Sequence, residues 1–150
     1  MPGIRTSTTI VATPDAVWTS LADISTHVEW MADAESIHFT SEQRTGVGTT
    51  FDCATKVGPV RLMDKMELTR WDDGRSMGVR HVGLVTGTGE FTLIPSGPAA
   101  TELVWTEELR FPWWLAGPIG AWAARPVLEL IWRGNLRRLK ERIETAPPSA

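Results

Sequence analysis

Three ionisable residues in the middle of the chain, Asp64, His81 and Glu107, alternate with apolar neighbours in strand-like stretches. Side chains two residues apart share one face of a strand. Leu62, Met66 and Leu68 therefore carry Asp64 onto an apolar face, and Val79 carries His81 onto one, opposite Arg80. Leu103, Trp105 and Leu109 do the same for Glu107. A carboxylate in apolar surroundings has its pKa raised, and histidine exchanges protons near neutrality. Such a trio inside a cavity is a candidate for general acid–base chemistry on a bound carbonyl compound. The competing reading is structural: Asp64 or Glu107 bonds a strand end or an arginine, and His81 is a satisfied core histidine. A β-bulge in any of the three strands would reverse the assignment beyond it.

Parity and periodicity place further candidates around these three. Trp30, Phe51, Met66, Phe91, Trp105, Leu128 and Trp132 are the expected apolar contacts of a bound molecule, alongside the core role open to each. Asn135 is the polar residue in an otherwise apolar helical stripe, and as a buried amide it must bond either a ligand or a structural partner. The segment from Phe111 to Trp122 is apolar nearly all round and broken by Gly and Pro. Its Trp113, Trp114 and Leu115 form an expected lid over one end of the cavity. The alternatives are a patch touching a membrane surface, with little attraction to anionic lipid, or packing on the sheet edge or on a second subunit, as in a homodimer. His27 and His38 have no metal-ligand spacing. Cys53 has no identifiable histidine partner for thiol chemistry. Gly83, Gly87 and Gly89 read as turn glycines without the lysine and helix of a phosphate loop. Neither a metal nor any other cofactor is implied.

The elements that must position these residues follow in order. Ile4 to Val11 alternates and is rich in Thr, Ile and Val, a strand pattern. Thr13-Pro14-Asp15 supplies an N-cap, a first-turn proline and an acid for a short helix whose inner face is Val17, Trp18 and Leu21. Ser25 is placed to cap a second brief helical turn ending near Trp30 and Met31. Strands are then expected near 35–43, 47–56, 60–71, 76–83, 88–95 and 101–110, punctuated by Gly, Pro and Asp-Gly turns. Their close spacing and short turns indicate an antiparallel meander. Trp113 to Glu144 reads as a long amphipathic helix. At about 100° per residue, Ala121, Ala124, Leu128, Ile131, Trp132, Asn135, Leu136, Leu139 and Ile143 gather on one face. Leu130 falls among the charged residues, and Pro126 must either open a helical segment or bend a longer one. The expected fold is α+β: a curved seven-stranded antiparallel sheet wrapped around one long C-terminal helix, with two short helices after the first strand. Wrapping a sheet around one helix leaves a space between them.

Composition narrows the function. The 150 residues fit one domain, with the tail 146–150 expected to fray. With 15 basic against 18 acidic residues and no basic stripe, nucleic acid is not an expected partner. One cysteine excludes an internal disulfide, and neither a signal peptide nor a membrane-spanning run is visible, so a cytoplasmic protein is expected. Eight tryptophans with no tyrosine suit a wide, mostly dry interior.

The order of elements resembles the START/Bet v 1-like (SRPBCC) superfamily. So do the phrases Ile10-Val-Ala-Thr-Pro-Asp-Ala-Val-Trp18, Trp105-Thr-Glu-Glu-Leu109 and Leu136-Arg-Arg-Leu-Lys140. Within it the chain is most similar to the bacterial polyketide cyclase/dehydrase-like group. The resemblance covers almost the whole chain and implies a helix-grip fold with a deep cavity for a hydrophobic small molecule. Its members include lipid and hormone carriers and aromatase/cyclases, so the expected function is a carrier or sensor of a lipid, polyketide or other apolar metabolite. The alternatives are a cyclase or dehydratase using Asp64, His81 and Glu107, and a protein-interaction module using Trp113 and Trp114.

Overall fold

The computed structural model describes residues 3–146. Seven strands, β1 (Ile4–Ile10), β2 (Ala34–Phe39), β3 (Thr50–Val57), β4 (Val60–Asp72), β5 (Ser76–Val82), β6 (Thr86–Pro95) and β7 (Thr101–Arg110), form one antiparallel sheet in the order β1-β7-β6-β5-β4-β3-β2. The meander from β2 to β7 pairs successive strands, through a longer loop (40–49) after β2 and short turns from β3 onward, and β1 closes on β7. Helix α1 (Pro14–Ala22) and a 3-10 segment (Ile24–Glu29) connect the two edge strands. Helix α2 (Gly117–Glu144) follows β7. Among the described residues no helix is long and apolar enough to cross a membrane.

Local chemistry accounts for the short helices. Thr13 caps α1, its Oγ1 accepting from the Ala16 amide (3.3 Å), and Pro14 occupies the first turn. Ser25 does not cap the second. The N-cap position belongs to Asp23, and the Ser25 hydroxyl donates to the Asp23 carboxylate instead. The expected tail lies outside the described residues except for Ala146, whose amide donates to the Ile143 carbonyl (3.3 Å).

The terminal helix departs from expectation at its start. Trp113–Leu115 is a separate 3-10 turn, and the chain breaks at Ala116 (φ 63°) and Gly117 (φ 48°) before α2 begins. A residue preceding proline is sterically kept out of the ordinary helical region, and Gly117 before Pro118 yields to that constraint in the left-handed region. Pro126, by contrast, lies inside α2 rather than at the start of a new segment. The core stripe is the expected one from Leu128 onward: Leu128, Trp132, Asn135, Leu136 and Leu139 are buried, Ala124, Ile131 and Ile143 are partly buried against them, and Leu130 is exposed. The end of α2 is tied to β1, where Lys140 Nζ donates to the Thr9 carbonyl (2.7 Å) and the Val11 amide donates to Glu144 (2.7 Å).

Candidate functional site

A cavity of about 280 Å³ lies between the sheet and α2. Its floor follows strand parity: Phe51 and Cys53 from β3, Leu62, Asp64, Met66 and Leu68 from β4, Val79 and His81 from β5, Phe91 from β6, and Trp105, Glu107 and Leu109 from β7. Ala124, Leu128 and Trp132 of α2 form the opposite wall, and Phe111 and Leu115 reach it from the segment between β7 and α2. Phe91, Trp105 and Trp132 make a continuous aromatic run, with ring centroids 5.0 Å and 5.3 Å apart in succession.

Asp64, His81 and Glu107 meet on this floor. His81 Nδ1–H donates to both oxygens of Asp64 (2.9 and 3.0 Å), and Nε2–H donates to Glu107 Oε2 (3.0 Å). The indole of Trp105, two residues along the same face, donates to Glu107 Oε1 (3.1 Å). Burial by itself would lower the His81 pKa. The hydrogen bonds to Asp64 and Glu107 and the charges of both together outweigh it and raise the pKa to about 10. His81 is thus an imidazolium at neutral pH, with neither nitrogen free to take a proton from another molecule. Because the two nitrogens face carboxylates on opposite sides of the ring, the three side chains do not converge on one point. Among the described residues no group of three His, Cys, Asp or Glu side chains could hold a metal ion.

Glycine makes the reach from β5 to β7 sterically feasible. Gly87 and Gly89 lie within β6 rather than in a turn, opposite His81 and Val79 on one side and Leu109 and Glu107 on the other. A Cβ on Gly89 would sit 2.5 Å from Glu107 Oε1, and one on Gly87 would sit 1.8 Å from the Glu108 carbonyl oxygen. The Glu107 carboxylate therefore crosses over the bare backbone of Gly89 to reach His81. Gly89→Ala should expel that carboxylate, with a loss of about 1–3 kcal/mol in stability. It should also bring the His81 titration, followed by NMR of the ring, down from its alkaline midpoint toward the ordinary histidine range. An unmoved midpoint would show that Glu107 is not held by this route.

The other expected contacts divide. Phe51, Met66, Phe91, Trp105, Leu128 and Trp132 line the cavity. Trp30 does not: it is buried behind the wall, its ring centroid 6.1 Å from that of Phe91 and 6.3 Å from that of Trp105. Asn135 does not either. Its Nδ2 donates to Asp33 Oδ1 (2.9 Å), while its Oδ1 accepts from the Ala32 amide (2.9 Å) and from Arg138. Those bonds make it a structural tie between α2 and the approach to β2. Of the expected lid, Leu115 borders the cavity, but Trp113 is 87% exposed and Trp114 50% exposed. The 3-10 turn points them outward.

Asp33, His27 and Cys53 also line the cavity, three contacts that the sequence pattern does not single out. Burial pushes the Asp33 carboxyl above its ordinary range, against the lowering effect of its Asn135 hydrogen bond. Burial pushes the Cys53 thiol up to about 11 and lowers His27 to about 4, so both are neutral at physiological pH. His27 Nε2–H donates to the Leu21 carbonyl (2.8 Å). An acid just before a strand carries no local signal of this role, since the helix that buries it arrives about a hundred residues later.

Comparison with solved structures gives the same architecture at low identity. A Thermus thermophilus protein, TTHA0849, is 19% identical, covers 98% of this chain and 100% of its own, and superposes with a TM-score of 0.77. The Zhui aromatase/cyclase from Streptomyces sp. R1128 is 20% identical over 95% of this chain and 93% of its own, with a TM-score of 0.72. Norcoclaurine synthase from Thalictrum flavum is 15% identical over 99% of this chain and 89% of its own, with a TM-score of 0.75. At these identities the likeness carries the fold alone. No curated protein matches the sequence. A family model does, over residues 1–144, and the chain therefore belongs to the family described as polyketide cyclase / dehydrase and lipid transport.

Proposed function

We propose that the protein binds an apolar small molecule between the sheet and α2, as a carrier or sensor. The observation that carries this reading is the cavity itself, about 280 Å³ within walls dominated by aliphatic and aromatic side chains. Family membership supports it, since the family's description spans both catalysis and lipid transport. The His81 arrangement supports carriage over turnover: an imidazolium held at both nitrogens is a poor general base. A second reading, cyclase- or dehydratase-type acid–base chemistry, draws on the same trio with Asp64 as the acting group. Its support is that Asp64 is the more exposed of the two carboxylates, at 18% against 7% for Glu107.

A neutral fluorescent probe, N-phenyl-1-naphthylamine, should bind with one-to-one stoichiometry and a micromolar Kd. Val79→Trp, which places an indole in the cavity, should weaken it at least tenfold. Absence of saturable binding would end the cavity reading. Equal affinity in Val79→Trp would move the probe to the exposed apolar surface at Trp113, Ile119 and Trp122.

A further inference from the structure

The charge of the cavity wall is one-sided. Its ionisable groups are Asp33, Asp64, Glu90 and Glu107 together with His27, His81 and the Cys53 thiol, and among the described residues no lysine or arginine lines it. The acids are not equally engaged. Glu90 has Arg70 at 3.6 Å, Asp33 accepts from Asn135 on Oδ1 while burial pushes its carboxyl toward the neutral form, and both oxygens of Glu107 are taken by His81 and Trp105. Asp64 differs. Its two oxygens share the single Nδ1–H of His81, although a carboxylate offers about four acceptor positions. One imidazolium between two carboxylates leaves a net negative charge on the cavity floor, and no lysine or arginine of the described wall balances it.

The wall is also short of donors. Both N–H groups of His81 and the indole N–H of Trp105 are already engaged, and the Trp132 indole N–H is the aromatic donor without a protein partner among the described residues of the wall. A carboxylate or phosphate ligand would meet like charge and, among the described residues, find no lysine or arginine to pair with. The Thr55 hydroxyl bonds the Cys53 carbonyl (3.3 Å), so a neutral carbonyl has chiefly the Trp132 indole to turn to. A ligand ammonium meets the opposite situation: unfilled acceptor capacity on Asp64 and net negative charge, in a cavity also lined by the aromatic rings of Trp105 and Trp132.

We infer that the ligand is an apolar or aromatic molecule bearing a cationic amine, seated with its nitrogen on Asp64 and its hydrocarbon body against Phe91, Trp105 and Trp132. This inference rests on the binding reading above, naming the ligand class for the same cavity.

The test is a matched set of probes with one hydrocarbon body: 2-(2-naphthyl)ethylamine, 2-(2-naphthyl)ethanol and 2-naphthylacetate, titrated by calorimetry at pH 7. The amine should bind at least tenfold more tightly than the alcohol, with the acetate weakest. Asp64→Asn should bring the amine to within about threefold of the alcohol, a charge-assisted bond having been reduced to a neutral one. If the alcohol binds one-to-one but the amine shows no advantage, or the acetate is preferred, the charge inference is wrong and the cavity reading stands. If none of the three binds, both fall. An amine preference that survives Asp64→Asn would overturn the assignment to Asp64. Should that variant fail to fold, the ranking on the unaltered protein still decides the ligand class.

Discussion

His81→Ala should destabilise the protein by about 3–5 kcal/mol at neutral pH, the range expected when one partner of a buried charge network is removed. The imidazole is the cation between Asp64 and Glu107, and among the described residues no lysine or arginine lines the cavity to replace it. The sign of the accompanying pH dependence follows from the raised His81 pKa of about 10. A histidine whose folded pKa lies above its unfolded value of about 6.5 binds more protons folded than unfolded in that window. Its stabilisation is therefore fully present below about pH 6.5 and is lost as pH rises toward 10, at up to about 1.4 kcal/mol per pH unit. His81→Ala lacks this proton, so its deficit against the unaltered protein should shrink across the same window. Urea unfolding at pH 6, 7, 8 and 10 measures both quantities. A deficit below about 1 kcal/mol at pH 7, or parallel alkaline slopes, would show that the charged network is not formed in solution. Replacing all three members together, as Asp64→Leu, His81→Met and Glu107→Leu, should recover much of the loss, because apolar side chains carry no desolvation cost.

That trio is legible in the sequence because parity survives along the relevant stretches. β4 does contain an irregularity, but it falls between Leu68 and Arg70, beyond Asp64, so Leu62, Asp64, Met66 and Leu68 keep one face. β5 pairs without a register shift through His81, and β7 through Glu107. The helical stripe from Leu128 to Ile143 is legible for the analogous reason, a clear polar face opposite it. The front of the same segment has no polar face to fix its rotation. Periodicity there does not separate Leu115, which borders the cavity, from Trp113 and Trp114, which point outward. The glycines of β6 pass for turn glycines because composition is the same in both settings, and only the folded chain, with the Glu107 carboxylate over Gly89 and the Glu108 carbonyl against Gly87, tells them apart. Trp30 and Asn135 sit on apolar patterns that face the core, and a pattern does not say whether the core at that point is solid or hollow.

Asn135→Asp should lose about 2–4 kcal/mol at pH 8 and regain much of it by pH 5, a signature that a mere packing defect cannot produce. The change is nearly isosteric, so the acceptor for the Ala32 amide and Arg138 is retained. What changes is the atom 2.9 Å from Asp33 Oδ1, where an amide N–H becomes a carboxylate oxygen. Two carboxylates at that separation, one fully buried and one partly buried, do not readily both stay ionised, so one takes up a proton that it would not hold in the unfolded chain. Burial already pushes the Asp33 carboxyl above its ordinary range, and the variant removes the Asn135 hydrogen bond that opposes the push. With the folded pKa raised above the unfolded one, the folded state binds more protons. Stability is then highest below the unfolded carboxyl pKa and falls as pH rises through the folded value. Asn135→Ala is the control: it strips the amide bond, the Ala32 acceptor and the contact with Arg138 together. Because it also removes the hydrogen bond that opposes the rise of the Asp33 pKa, its loss should ease toward pH 5, but by less than that of Asn135→Asp, which adds a second carboxylate. Chemical denaturation of both variants at pH 5 and pH 8 reads the difference directly. If Asn135→Asp behaves like Asn135→Ala at both, Asn135 does not face Asp33 in solution. The tie between α2 and the approach to β2, which sets one end of the cavity, would then have to be sought in Arg138 and its bond to the Trp30 carbonyl (3.0 Å).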